Sequence, residues 1–254
     1  MIPKVIHYVW LGGGTKPPLF SRCLESWKAH CPDYELREWN ESNFDFSDNA
    51  FAVQAYRAKK YGYVADYIRL RVLYEYGGIY LDTDVEMVKP FDDLLANDFF
   101  LSFENDVYVE TATLGAAPRH PFLQKLLAHY ERKQFFVGKR ADLTPNTVLF
   151  TLALEKYYAF RIATNGREQR LAGEMGVTVY PADYFSPINY TTKKLRRTPR
   201  TYSIHYFDAS WFSKKLKFRE KVLRGVYYLF GRKLFALFTK AYVCHERKKY
   251  AALL

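Results

Sequence analysis

Cysteine is scarce in this 254-residue sequence. Cys23, Cys31 and Cys244 are too few for a disulfide framework or a four-ligand zinc site, and they read as reduced thiols. No apolar run approaches the roughly 18 residues that a membrane-spanning helix needs. The opening stretch, Met1–Gly14, breaks into glycine too soon to read as a secretory leader. Internal repeats and low-complexity linkers are also missing, which excludes a solenoid and a tethered pair of modules. Acids are depleted at one end: from Lys193 onward 17 Lys and Arg face only Asp208, Glu220 and Glu246. That segment carries +14 of the overall +11, so residues 1–192 are slightly acidic at −3. Electrostatic arguments about partners therefore belong to the last quarter of the chain.

Aromatics, by contrast, are abundant at 18%, led by 22 Tyr, so part of the ring area is expected to line wet clefts. The chain length suits one large α/β domain. Val5–Trp10 reads as a buried strand running into the turn Gly12-Gly13-Gly14, and Pro17-Pro18 opens a helix over Leu19–His30. Tyr34–Trp39 is a second strand. Asp48–Tyr76 is the strongest helical stretch, expected as two helices broken at Tyr61-Gly62 and stopped by Gly77-Gly78. Ile79–Val85 follows as one apolar strand running into acid. Further strands are expected over Phe99–Phe103, Val107–Leu114, Val177–Tyr180 and Tyr202–Tyr206, with helices over His120–Phe136 and Asn146–Tyr158. Strands alternating with helices predict an α/β sandwich on a mainly parallel sheet.

The chemistry concentrates at Asp82-Thr83-Asp84. In extended backbone, residues i and i+2 face one side, and the end of an apolar strand is where an open α/β sheet forms its ligand crevice. Two adjacent acids call for a cation, and oxygen ligands select Mg²⁺ or Mn²⁺. The same three residues also fit a solvated turn. Asp66 and Arg69, three apart on the preceding helix, are either an ordinary ion pair or a second pair of groups facing the same crevice.

The stretch from Tyr63 to Arg69, continuing through Tyr76-Gly77-Gly78-Ile79-Tyr80-Leu81-Asp82-Thr83-Asp84, closely resembles the signature of glycosyltransferases with a DXD-containing sugar-binding region. That family groups bacterial capsule and oligosaccharide transferases with fungal outer-chain mannosyltransferases. It resembles the catalytic domains of the large glucosylating toxins. Ile2–Gly12, Tyr180–Pro187 and His205…Ser210-Trp211 extend the likeness over roughly residues 2–212. The resemblance implies a GT-A-like fold, a nucleotide-sugar donor (a uridine diphosphate sugar favoured), Mn²⁺ or Mg²⁺, and transfer with retention to a saccharide acceptor. It further implies that Trp10 stacks on the base, Tyr80 lines the nucleotide pocket, and Asp66 and Arg69 hold the sugar. Asp82 would touch ribose or reach the metal through water, and Asp84 would ligate it. His205 and Ser210 would complete the metal and diphosphate side, with Trp211 closing over the phosphates. Glu104, Asn105 and Asp106 are candidates to face the acceptor, and the pocket-lining loops 104–118 and 137–150 to decide the sugar, the acceptor and the linkage.

Two rival functions fit parts of the sequence. An apolar run before Asp82-Thr83-Asp84 also suits a haloacid-dehalogenase-type phosphatase, although that class needs a lysine and a later acidic pair. Residues 213–254 form a basic extension in which Val222, Leu223, Val226, Phe230, Leu234 and Leu237 share one helical side. That pattern fits either a cap packed on residues 1–212 or a helix on an anionic membrane surface, and the latter alone could make the protein a non-enzymatic membrane binder. No nucleic-acid module accompanies the charge. For a saccharide acceptor carried on a lipid, as in capsule or lipopolysaccharide synthesis, the expected location is cytoplasmic, peripheral on the inner face of the membrane.

Overall fold

A computed structural model describes residues 1–208 except 106, 163–166 and 191. Ser210, Trp211, Cys244 and the basic extension lie outside the described residues, as does Asp106. Among those described, no helix is long and apolar enough to cross a membrane.

The chain starts in β1 (Val5–Val9), whose alternation sends Ile6 and Tyr8 into one core and Val9 into another. Helix α1 (Pro18–His30), opened by proline, lays Phe20, Cys23 and Trp27 under the first of these cores. The chain then returns in β2 (Glu35–Trp39), parallel to β1. Helix α2 (Ala50–Arg57) is capped by the Asn49 side chain, which accepts from the Ala52 N–H. The break before α3 (Tyr61–Tyr76) falls at residues 58–60, so Tyr61 and Gly62 form the first turn of α3 rather than the interruption expected there. Val64, Ile68 and Val72 of α3 are completely buried against the opposite sheet face.

Strand β3 (Gly78–Leu81) then enters the sheet beside β1 on the side away from β2. Gly77 and Gly78 make this crossover possible. Both have positive φ, at 65° and 100°, and a Cβ on Gly78 would lie 2.7 Å from the Val5 carbonyl oxygen. The expected strand over Ile79–Val85 is in fact two. The Val85 N–H donates to the Asp82 carbonyl, closing a tight turn, and β4 (Val85–Met87) leaves the main sheet.

Seven later strands and two α-helices follow in the described chain. These are β5 (Phe99–Ser102), β6 (Thr113–Ala116), α4 (Pro121–Arg132), a small hairpin of β7 (Phe136–Val137) and β8 (Arg140–Ala141), α5 (Asn146–Tyr157), β9 (Gln169–Leu171), β10 (Val177–Tyr180) and β11 (Ser203–His205). The main sheet runs β2-β1-β3-β6-β5-β10-β9, with β6 and β9 antiparallel to the other five. Helix α1 covers one face and α2 to α5 the other, which is the expected α/β sandwich on a largely parallel sheet. Strand β4 pairs with β11 in a separate two-stranded sheet that sets His205 opposite Val85.

The expected strand over Val107–Leu114 starts only at Thr113, because the backbone before it is bonded elsewhere. The Val109 N–H donates to Thr151 Oγ1, and the Thr111 carbonyl accepts from Arg69. The helix expected to reach Phe136 stops at Arg132, after which Lys133 turns extended and pairs with Asp142 at 3.3 Å. Cys23 and Cys31 are buried free thiols.

A buried histidine ties β1 to its neighbours. His7 donates from Nε2 to the Gly77 carbonyl at 2.8 Å, and its Nδ1 accepts from Trp39 Nε1 at 3.0 Å, so the ring must be neutral. Burial pushes its pKa down from 6.5 to about 4. The unfolded chain then binds this proton first as pH falls. The His7 contribution is complete above pH 6.5, is lost between 6.5 and 4, and changes no further below that. The expected loss is about 3 kcal/mol over this window, at ~1.4 kcal/mol per pH unit. Urea denaturation across pH checks it: His7→Phe should be less stable at pH 7 and show a flatter pH dependence from 6.5 to 4.

Candidate active site

The strand order reverses between β1 and β3: the chain moves from β1 outward to β2, then returns to β1's other flank. Ligands bind at such a switch point, beyond the carboxyl ends of the parallel strands. Three groups of residues meet at this edge: the Trp10–Gly14 turn after β1, Asp82 to Asp84 after β3, and Glu104 after β5. Because β6 runs the other way, its N-terminal approach through Glu110 and Thr111 reaches the same edge.

Arg69 organises one half of the site. Its side chain is 5% exposed, and Nη2 lies 2.9 Å from Asp66 Oδ1 and 3.2 Å from Asp82 Oδ1. Nη1 donates to the Thr111 carbonyl at 2.5 Å, and the guanidinium lies 4.6 Å from the centre of the Tyr80 ring. The Tyr80 hydroxyl donates to Asp82 Oδ1 at 3.0 Å. Asp66 and Arg69 are therefore an ion pair and also part of the crevice. Burial lifts Asp66 to a pKa of about 6 despite Arg69, and it raises Asp82 as well.

The other half is built on the Asp82–Val85 turn. Asp84, Asp82 and His205 each offer a ligand atom within 4.8 Å of the others. His205 comes from far along the chain, and the β4–β11 pairing puts it there. The Asp208 N–H donates to Asp84 Oδ2 at 2.9 Å, and His205 Nε2 stands 3.5 Å from Asp84 Oδ1. Burial opposes the Asp84 charge, but His205 and these donors hold its pKa below the usual carboxylate range. Burial likewise disfavours charge on His205, yet Asp84, Glu110 and Asp82 around it push its pKa up to about 9. Two carboxylates and an imidazole with an unpartnered Nδ1 form a donor set that fits Mg²⁺ or Mn²⁺.

Several groups lay outside the sequence-based expectations. Glu110 is wholly buried, accepts from Ser186 Oγ on Oε2, and stands 3.9 Å from His205 Nδ1, while its Oε1 has no partner. Burial pushes both Glu110 and Glu104 up to a pKa of about 7. Asn146, at the start of α5, stands beside Asp66. Ser186 lay inside a motif already singled out, but nothing in the periodicity marked Glu110 or Asn146. Trp10 is half-buried, its ring stacked on Phe20 at 5.5 Å and its Nε1 donating to the Gly14 carbonyl. The cation beside Asp82 is Arg69, not the lysine that a haloacid-dehalogenase-type site requires.

Residues 17–101 match the family described as glycosyltransferase sugar-binding region containing DXD motif. Over that stretch, about a third of its length, the chain is similar to this glycosyltransferase family. It is 29% identical over 182 residues to mannosyl phosphorylinositol ceramide synthase SUR1 of Saccharomyces cerevisiae, which covers 65% of this chain and 45% of the relative. Over 138 residues it is 30% identical to inositol phosphoceramide mannosyltransferase 3 of Schizosaccharomyces pombe, covering 53% and 38%. The chain thus spans less than half the length of these relatives. Among solved structures, PaToxG glycosyltransferase aligns with a TM-score of 0.47 at 21% identity, over 61% of this chain and 69% of that one. The family match contains Asp66, Arg69, Tyr80, Asp82 and Asp84, whereas Glu110, Asn146 and His205 fall beyond it.

Removing Arg69 would leave the half-buried Asp66 and Asp82 without their buried counter-charge. Arg69→Met should therefore cost about 3–5 kcal/mol of stability, measured by chemical denaturation. Arg69→Lys should recover only part of this, since one ammonium cannot fork between both acids and the Thr111 carbonyl.

Proposed function

We propose that this protein transfers a sugar from a nucleotide-sugar donor to a saccharide acceptor at the cleft lined by Asp66, Arg69, Asp82, Asp84 and His205. The supporting observation is the meeting of two charge systems at one sheet edge. One is an arginine-ordered pair, Asp66 and Asp82, and the other is a carboxylate–imidazole donor set, Asp82, Asp84 and His205. The first suits sugar hydroxyls and the second suits a diphosphate bound with a divalent cation.

A cation bound by Asp84, Asp82 and His205 would stabilise the negative charge that a nucleoside diphosphate leaving group develops. The protein's own residues do the rest. Arg69 fixes the Asp66 and Asp82 carboxylates before substrate arrives, so little reorganisation is needed as charge moves. Asp66, beside the sugar, can accept hydroxyl hydrogen bonds and stabilise oxocarbenium character at the ring. Tyr80 orients Asp82 through its hydroxyl. Trp10 and the glycine-rich turn would face the nucleotide, with Ser210 and Trp211 completing the phosphate side. Retention at the anomeric carbon belongs to the same proposal. A uridine diphosphate sugar is the donor favoured by the likeness to the toxins, and the mannosyltransferase names of the fungal relatives add GDP-mannose to the test. Those names also support a lipid-linked acceptor.

A thermal-shift panel of UDP, GDP and their sugars, with and without Mn²⁺, tests the assignment. A metal-dependent rise in Tm with at least one nucleoside diphosphate is expected, and a flat panel would overturn it. Asp84→Asn should fold normally, because an amide oxygen can still accept from Asp208 N–H. It should nevertheless lose the Mn²⁺-dependent shift and slow turnover by about a hundredfold or more, since only a charged ligand is removed. Retained metal dependence in that variant would move the cation off this turn.

A further inference from the structure

Asn146 is a polar side chain with unused hydrogen-bonding capacity. It is 6% exposed, and neither Oδ1 nor Nδ2 has a hydrogen-bond partner. A buried amide left in this state costs free energy, so something usually accounts for it. Its position is fixed from both sides. Pro145 sets the start of α5 in extended backbone, and one turn further on Thr151 Oγ1 accepts from the Val109 N–H, tying the helix to the strand approach that carries Glu110. The carboxamide faces Asp66 closely enough to favour the charged form of that acid. Asp66 meanwhile gives one oxygen to Arg69.

A carboxylate acceptor beside an amide that offers one donor and one acceptor matches the chemistry of neighbouring hydroxyl groups. Each hydroxyl both donates and accepts. An ion would engage only half of the amide, and an apolar ligand would engage none.

We propose that Asn146, together with Asp66, reads two neighbouring hydroxyls of the donor sugar, and so helps determine which sugar this protein accepts. The proposal rests on the glycosyl-transfer reading above and adds a specificity-determining residue to it. Asn146 lies outside the family-matched residues 17–101.

The test separates sugar binding from nucleotide binding. Affinities of UDP, GDP, UDP-glucose, UDP-galactose, UDP-N-acetylglucosamine and GDP-mannose are measured by calorimetry with Mn²⁺ for the wild type, Asn146→Leu and Asn146→Ala. Wild type should bind one sugar nucleotide better than its bare diphosphate. Both variants should lose that preference by about ten- to a hundredfold while binding the bare diphosphate within about twofold of wild type, as expected for two lost hydrogen bonds. Stability gives a second readout. Because the amide is unpartnered, Asn146→Leu should melt at or above the wild-type temperature, whereas a structural asparagine would lower it. An undiminished sugar preference in both variants overturns the role of Asn146 and leaves the parent reading intact. If wild type binds no diphosphate of either kind, the parent reading falls and this proposal falls with it.

Discussion

The Arg69 guanidinium, buried between Asp66, Asp82, the Thr111 carbonyl and the Tyr80 ring, is the interaction on which the site depends. Five acids crowd this sheet edge: Asp66, Asp82, Asp84, Glu104 and Glu110. Like charges held this close and away from water cannot all remain ionised without nearby positive charge. Arg69 supplies it permanently for the first two, because a guanidinium does not titrate in the working range. Glu104 and Glu110 have no equally close guanidinium, and their pKa values drift upward with burial. Asp84 stays ionised for a different reason, its contact with His205 and the Asp208 N–H. The site is therefore graded, from acids fixed as anions to acids whose charge depends on what is bound.

The fold brings these groups together by interrupting regular structure. A continuous strand over residues 79–85 would have kept Asp82 and Asp84 in the main sheet. Instead, the turn closed by Val85 N–H sends the chain into β4, and only β4 can recruit β11 and with it His205. Across the cleft, residues 109–111 pair with the β5 end only through an isolated bridge between Phe103 and Val109, and their backbone also bonds the Thr151 and Arg69 side chains. Behind the turn, α1 supports the displaced strand: Trp27 Nε1 donates to the Val85 carbonyl, and Ser26 Oγ accepts from the Met87 N–H. Side-chain bonds thus satisfy backbone groups where the ladder is interrupted, as buried backbone requires.

These interruptions also mark the limit of what the sequence disclosed. The α/β alternation, the buried face of α3 and the glycine pair before β3 were legible, because periodicity and steric demand act within a few residues. Asp66, Arg69, Asp82 and Asp84 were legible for the same reason, being concentrated in one short stretch that packs on itself. His205 was reached only through the family resemblance, since no local rule links it to Asp84 across a pairing of two three-residue strands. Glu110 and Asn146 were reached only as members of the loops 104–118 and 137–150, not as individual residues. Each looks like an ordinary surface-type residue in sequence, and what distinguishes them is burial without a full set of partners, a property of the assembled core. The break between α2 and α3 and the end of α4 were misplaced by a few residues because side-chain pairings such as Lys133 with Asp142 decided them.

The cleft consequently has two walls of different character. One comprises α3, β3 and the Asp82–Val85 turn, lies within the family-matched region, and carries densely bonded charges. The opposite wall comprises the approach to β6, the β7–β8 hairpin and the start of α5. It holds Glu110 and Asn146, whose polar atoms are buried and only partly used. A fully bonded wall is rigid and indifferent to substrate detail, whereas unsatisfied donors and acceptors gain most from a ligand that completes them and lose most from one that does not. The two walls therefore differ in one physical respect, how completely each polar group is satisfied before any ligand arrives.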